Sequence, residues 1–310
     1  MSKELVLFFL KRITGVSTTL FVLFFITFFT LRLAPGGPFD TERAFPAEVR
    51  ANIEKKYELD RPMWVQFSHW MRDVVHGELK DSFQYFGKPV KEIIVESLPS
   101  SILLGVLALF FATGVGIPLG CLAAWKKNQW VDRFVQLIAV SGLSLPSYLL
   151  ASLLILLFCT YLGWLPPALW EEPKSLILPI VTLSVRPLAI LIRMTRTSMI
   201  ESLHSDYIRT AYSKGLSDSK ILFKHALKNS LIPSLTVLGP ITANLITGSF
   251  LVEIIFQIPG LGKHFVTAVI NRDYPLVMGV TLVYGTLLVF CNLCVDLLYH
   301  WADPKMRIDA

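Results

Sequence analysis

The sequence predicts an all-α integral membrane protein with six transmembrane helices and cytoplasmic N- and C-termini. Three observations carry that expectation. First, 53% of the 310 residues are hydrophobic and 17% charged, against about a quarter charged in an ordinary soluble domain. Second, the apolar residues come in unbroken blocks that approach the ~20 residues needed to cross a hydrocarbon core. Third, Lys and Arg crowd one side of those blocks. A β-barrel would alternate polarity over segments of about ten residues, and no such pattern occurs. The composition also excludes disorder, collagen, a coiled coil and a nucleic-acid-binding tail, and the net charge of +6 is spread as a membrane protein spreads it.

The predicted spans are Ile13–Leu33, Ser101–Ala124, Phe134–Tyr161, Leu176–Ile192, Leu235–Ile255 and Leu276–Leu298. The first follows Lys11-Arg12 as a signal peptide would. It is longer than a signal h-region of about 7–15 residues and lacks an A-x-A site, so it reads as an uncleaved helix. Ala34-Pro-Gly-Gly-Pro-Phe39 then ends it. Residues 34–98 form a periplasmic segment with two short amphipathic helices expected at Ala47–Tyr57 and Pro62–His76. The fourth block is short and contains Arg186-Pro187.

Orientation follows from the flanking cations. Lys3, Lys11 and Arg12 precede the first span, and Lys126, Lys127 and Arg133 follow the second. Arg193, Arg196, Arg209, Lys214, Lys220, Lys224 and Lys228 follow the fourth, with Lys305 and Arg307 at the end. The short loops opposite contribute only Lys174, Lys263 and Arg272. The chain thus divides into an N-terminal tail and first helix (1–33), the periplasmic segment (34–98) and a core of five helices (99–310).

No catalytic pattern emerges. The string 259-PGLGKH-264 lacks the first glycine and the hydroxyl residue of a phosphate-cradling loop. No H-E-x-x-H or paired-carboxylate string occurs, and Cys291-Asn-Leu-Cys294 lies in an apolar span without a second ligand pair, so packing is its expected role. The chain is expected to be no enzyme and to bind no cofactor or metal.

The informative stretch is cytoplasmic, 205-SDYIRTAYSKGLSDSKILFKHALKNSLIPSL-235. Ser205 or Asp206 is placed to cap one short helix, Gly215 suits a left-handed stop, and Ser217 and Asp218 are placed to cap a second helix. Ile221, Leu222, Ala226 and Leu227 fall partly on one face of it. Two capped helices meeting at a glycine elbow, joined to spans on both sides, suit a docking surface better than a topology-setting loop.

This stretch resembles the coupling loop of ABC importer permeases, written E-A-A-x3-G-x9-I-x-L-P. Ala211, Gly215 and Leu227 keep their places, while Arg209, Thr210, His225 and Lys228 depart from it. The departures match the dipeptide, oligopeptide and nickel branch, whose version reads R-T-A-x-x-K-G-L followed by H-A-L-x-N/P-x-L-x-P. Arg32–Phe39, Pro46–Tyr57, Gly248–Glu253, Pro259–Gly262, Asn271–Tyr274 and Asp303–Arg307 are similar to the B permease subunit of bacterial oligopeptide importers.

The resemblance implies the type I ABC importer permease fold and a chain that transmits ATP-driven movement without hydrolysing ATP. It implies a sister permease subunit, two cytoplasmic ATPase subunits carrying ATP and Mg, and an external substrate-binding protein. The cargo would be an oligopeptide, with a dipeptide or a nickel or small-solute complex as alternatives in the same branch. A stand-alone channel is the competing class. Within the loop at 205–233, Asp206, Tyr207, Arg209, Thr210, Ala211, Lys214, Gly215, Leu216, His225 and Leu227 are the expected ATPase-docking residues. For the path, Arg186 is costly in lipid and should face the bundle interior or a partner subunit, unless it snorkels. Asn244 and Thr247 either line a pore or join two helices. Glu253 is expected at an outer gate, and Asp296 in a headgroup-level ion pair. The expected location is the bacterial inner membrane.

Overall fold

The computed structural model describes residues 3–37, 54–85, 87–247 and 250–302. The expected Ala47–Tyr57 helix and the matched stretches Pro46–Tyr57 and Asp303–Arg307 lie largely or wholly outside the described residues, as do Gly248 and Ser249 and the side chain of Asp296. Among the described residues, five helical stretches are long and apolar enough to cross a membrane, or six if one bent pair is a single span. Large apolar side chains lie bare on them, among them Phe110 at 69% exposure and Phe290 at 60%. Such surfaces are tolerable in lipid, which is as apolar as leucine. The backbone falls into two compact units, residues 1–99 with 261–286 and residues 100–260 with 287–310.

In the first unit, α1 (Lys3–Leu33) carries a phenylalanine-rich C-terminal half. Phe24 and Phe28 are buried with Phe67, Trp70 and Met278. Phe67 and Trp70 belong to α2 (Met63–Val75), and the Phe28 and Phe67 rings meet edge to face at 5.2 Å, an arrangement that the ring quadrupoles favour. The Arg32 guanidinium lies 3.5 Å over the Phe28 ring and donates from Nε to Gln66 Oε1 at 3.0 Å. Gln66 passes the link on, donating from Nε2 to the Arg61 carbonyl at 2.8 Å. Glu58 takes the left-handed conformation at φ +59 and receives His69 Nδ1 at 2.9 Å. That hydrogen bond, aided by Lys80, holds the Glu58 carboxyl below its usual range.

Asp273 explains the Asn271–Tyr274 match. Its buried carboxylate accepts the Ser82 hydroxyl, the Phe83 amide at 3.1 Å, the Gln84 amide at 3.2 Å and the Leu276 amide at 3.2 Å. One side chain therefore caps α12 (Tyr274–Ala302) and organises the 82–85 turn.

In the second unit, α3 (Val90–Trp125), begun in the first unit, continues past residue 100. The predicted continuous span Phe134–Tyr161 is corrected here. α4 (Trp130–Ser144) and α5 (Ser147–Leu154, continued as a π-helix over Ile155–Tyr161) are separated by a bend of 111°. The cause is Pro146, which has no amide to donate and pushes Leu145 to an extended φ −80, ψ 125. The fourth predicted span also differs. α6 (Ile177–Leu203) continues 11 residues beyond the predicted end at Ile192 and keeps Pro187 inside it.

The extension rests on Arg196. Its Nε donates to Asp132 Oδ1 at 2.7 Å and its Nη2 to Oδ2 at 2.8 Å, while the Asn128 amide adds a third bond at 2.8 Å. Asp132 is 3% exposed, so a cation expected to mark a loop is instead neutralised against α4. Val135 and Ala139 of α4 pack with Leu188, Ala189 and Ile192 of α6, and the two helices run antiparallel, with Asp132 beside Arg196 and Gly142 beside Val185 and Ala189. Beyond the elbow described below, α9 (Ile232–Ile246) and α10 (Phe250–Ile255) precede α11 (Leu261–Ile270) of the first unit.

Candidate functional site

The segment between α6 and α9 is an elbow of two short helical pieces. α7 (Asp206–Ser213) is followed by a helical run α8, made of Asp218–Lys220, a π-turn over Ile221–Ala226 and Leu227–Ser230. The apolar positions face inward. Ile208, Ala211, Ile221 and Ala226 are buried with Cys121 and Ala124 of α3 and Met199 of α6, and Leu216, Leu222 and Leu227 pack against that cluster. Ser230 strengthens the seat by donating to Met199 Sδ at 3.3 Å. The elbow is therefore anchored on two membrane-length helices.

Gly215 makes the turn at φ +73. The Leu216 amide reaches back to the Ala211 carbonyl at 3.3 Å, and the Gly215 amide to Tyr212 at 2.9 Å. This pair of bonds is the Schellman pattern that ends a helix on a left-handed residue. The expected side-chain caps differ. Ser205 holds the N-cap position, but its hydroxyl donates backward to the Ser202 carbonyl at 2.5 Å, and Ser217 makes no side-chain cap bond. α6 ends two residues earlier, and the Ser202 carbonyl also accepts the Ser205 amide at 3.1 Å, so Ser205 closes the end of α6 with both its groups.

The outward face carries Asp206, Tyr207, Arg209, Thr210 and Lys214, all exposed. Arg209 Nη1 lies 3.4 Å from Asp206, with both side chains largely in solvent, so the pair contributes little stability. Tyr207 shares a 3.1 Å hydrogen bond with Ser202, and His225 is half-buried. Ala211, expected to dock, is buried in the cluster that seats the elbow, and Leu216 and Leu227 are partly buried against it. Sequence reasoning missed two residues. Phe223 is 63% exposed and Tyr212 47%, on a segment whose other outward residues are polar. An aromatic amid lysines at 220–228 was the available signal.

The path candidates separate. Arg186 and Asn244 are exposed and Thr247 is half-buried. Asn244 Nδ2 donates to the Pro240 carbonyl at 3.0 Å, and Thr247 Oγ1 to Ala243 at 2.9 Å. Glu253 is wholly buried. It accepts the Ser101 hydroxyl at 2.9 Å, and a Cβ on Gly260 would collide with its carboxylate. Glu253 thus shapes the 256–260 turn from below and presents no surface of its own. Gly260→Ala should drive a buried carboxylate off its partners and lower stability by about 2 kcal/mol. Thermal unfolding in detergent measures this, and an unchanged midpoint would contradict the packing.

Membrane-length apolar helices with an elbow seated across two of them define a polytopic membrane protein. The chain belongs to the family of binding-protein-dependent transport system inner membrane components, whose pattern matches residues 116–308. The companion N-terminal pattern of that family matches residues 5–104. The chain is accordingly a multi-pass protein of the inner membrane. It is 43% identical over 302 residues to the oligopeptide transport system permease protein OppB of Haemophilus influenzae, covering 97% of this chain and 99% of that one. It is 40% identical over 299 residues to the dipeptide transport system permease protein DppB of Bacillus subtilis, covering 96% and 97%. Among solved structures, the inward-facing MetNI methionine ABC transporter aligns with a TM-score of 0.56 at 19% identity, over 68% of this chain and 96% of that chain. That likeness establishes a shared helical fold.

Proposed function

We propose that this chain is one of two permease subunits of an ATP-driven peptide importer, with six spans and cytoplasmic termini. The bent pair α4–α5 counts as one span in this reading. The carrying observation is the elbow: Ile208, Ala211, Ile221 and Ala226 bind it to α3 and α6, while Tyr207, Arg209, Tyr212 and Phe223 stand outward. Exposed aromatics beside charges suit a protein partner, because aromatic and Arg side chains dominate interface energetics. The partner fitting this surface is an ATPase subunit, which would carry ATP and Mg. A sister permease and an external substrate-binding protein complete the assembly, and similarity to OppB and DppB favours peptides as cargo.

Energy transfer then needs no chemistry in this chain. Nucleotide contacts favour one of two global states, and the elbow, rigid against α3 and α6, carries the shift into the spans. Phe223→Ala should reduce co-purification of the ATPase by about tenfold, since a buried interface aromatic is worth about 1.5 kcal/mol or more. Affinity capture of the tagged permease measures it, with in-membrane amounts as the control. Undiminished capture by Phe223→Ala combined with Tyr212→Ala would reject the elbow as the docking surface.

A further inference from the structure

The extension of α6 changes the standing of Arg193. Expected as a loop charge, it lies within the same helix as Arg186. The two are seven residues apart, two helical turns and about 10 Å along one face. Thr197, four residues further, continues that face, and Arg186, Arg193 and Thr197 are all exposed. Neither arginine makes an ion pair among the described residues, whereas Arg196, on another face, is consumed by Asp132. A second polar row runs on α9, where Thr236 and Asn244 are exposed. The 3.1 Å bond between Thr195 and Ser234 sets an antiparallel register between α6 and α9, and Leu183 and Ile190 pack near Ile241 and Leu245 in accord with it. That register places Arg186 level with Asn244, and Arg193 level with Thr236.

Two unpaired guanidinium groups facing lipid would be costly, and intramembrane charges of this kind belong to substrate or ion pathways. We infer that Arg186 and Arg193 form a two-step ladder that receives the C-terminal carboxylate of the transported peptide. The inference rests on the peptide-importer reading above and names the group that the path recognises. Varied peptides share few features, and a free carboxylate matches a guanidinium fork in charge and geometry. Thr236 and Asn244, at the same two levels, supply hydrogen-bonding groups for a backbone. Spacing the cations two turns apart allows the carboxylate to be passed from one to the next without a single deep trap.

The test compares import of labelled trialanine with labelled trialanine amide by the full transporter in proteoliposomes. The binding protein is the same in every arm, so its own preference cancels between variants. Arg193→Gln should raise the half-saturating concentration for the free acid about tenfold and leave that for the amide unchanged. Arg193→Lys should keep most of the difference between the two peptides. Equal shifts for both peptides, or no shift for either, would overturn the ladder. Loss of assembly by Arg186→Gln would overturn its role for Arg186 in favour of an ion pair with the sister subunit. Wild-type transporter that hydrolyses ATP yet imports neither peptide would overturn the peptide reading itself, and the ladder with it.

Discussion

Gly215→Val is expected to give an assembled transporter that hydrolyses ATP without importing substrate. The residue sits at φ +73, and no other group lies within 4 Å of where a Cβ would be. The obstacle is therefore backbone strain alone. A side chain in the left-handed region costs about 1–2 kcal/mol, and more when β-branched. The chain can relieve that strain by opening the Leu216-to-Ala211 and Gly215-to-Tyr212 bonds, which misdirects α8 relative to α7. Movement of an ATPase partner would then reach one half of the elbow without the other. Gly215→Asn separates strain from size, since asparagine tolerates this conformation, and should retain most import. Measuring transported substrate per ATP hydrolysed decides the matter. Normal import by Gly215→Val removes the coupling role from the elbow.

The second large effect falls on the Asp132–Arg196 pair. Asp132→Ala leaves the Arg196 guanidinium without its two-pronged acceptor and the Asn128 amide without its acceptor. Breaking a buried pair costs about 3–5 kcal/mol. Arg196 keeps 23% of its side chain exposed, so a loss of about 2 kcal/mol is expected after partial rehydration. The double variant Asp132→Leu with Arg196→Met removes both charges and should be more stable than Asp132→Ala alone. Thermal unfolding of the purified protein in detergent reports both. If the single variant unfolds at the wild-type temperature, α4 is held to α6 by its apolar contacts alone.

Much of the fold was legible in the sequence because the bilayer imposes a length and a polarity that show in one dimension. The apolar blocks around Thr14–Leu33, α3 and α12 required no knowledge of neighbours. The elbow was legible for a different reason: a left-handed stop nearly demands glycine, and Gly215 stands where α7 must end. The family resemblance pointed to Asn271–Tyr274 without saying what it does, and Asp273 proves to be the carboxylate that joins the 82–85 turn to α12. Phe223 and Tyr212 stayed hidden because exposure on a short helix depends on which face its neighbours cover.

Hydropathy and the glycine elbow thus determined by themselves the membrane class of the protein, the approximate spans and the place where the chain turns between α7 and α8. Each is a property of a local segment meeting lipid or its own backbone. Only the tertiary structure decided that α6 runs on to Leu203, that Glu253 supports a turn beneath Gly260, and that Arg186 and Arg193 share one open face. Those facts turn on partners far apart in the chain, Asp132 for Arg196 and Ser101 for Glu253. A charge in a sequence reads as a loop or a site until its counter-charge is located. The same guanidinium is structural when a buried carboxylate neutralises it and available to a ligand when none does.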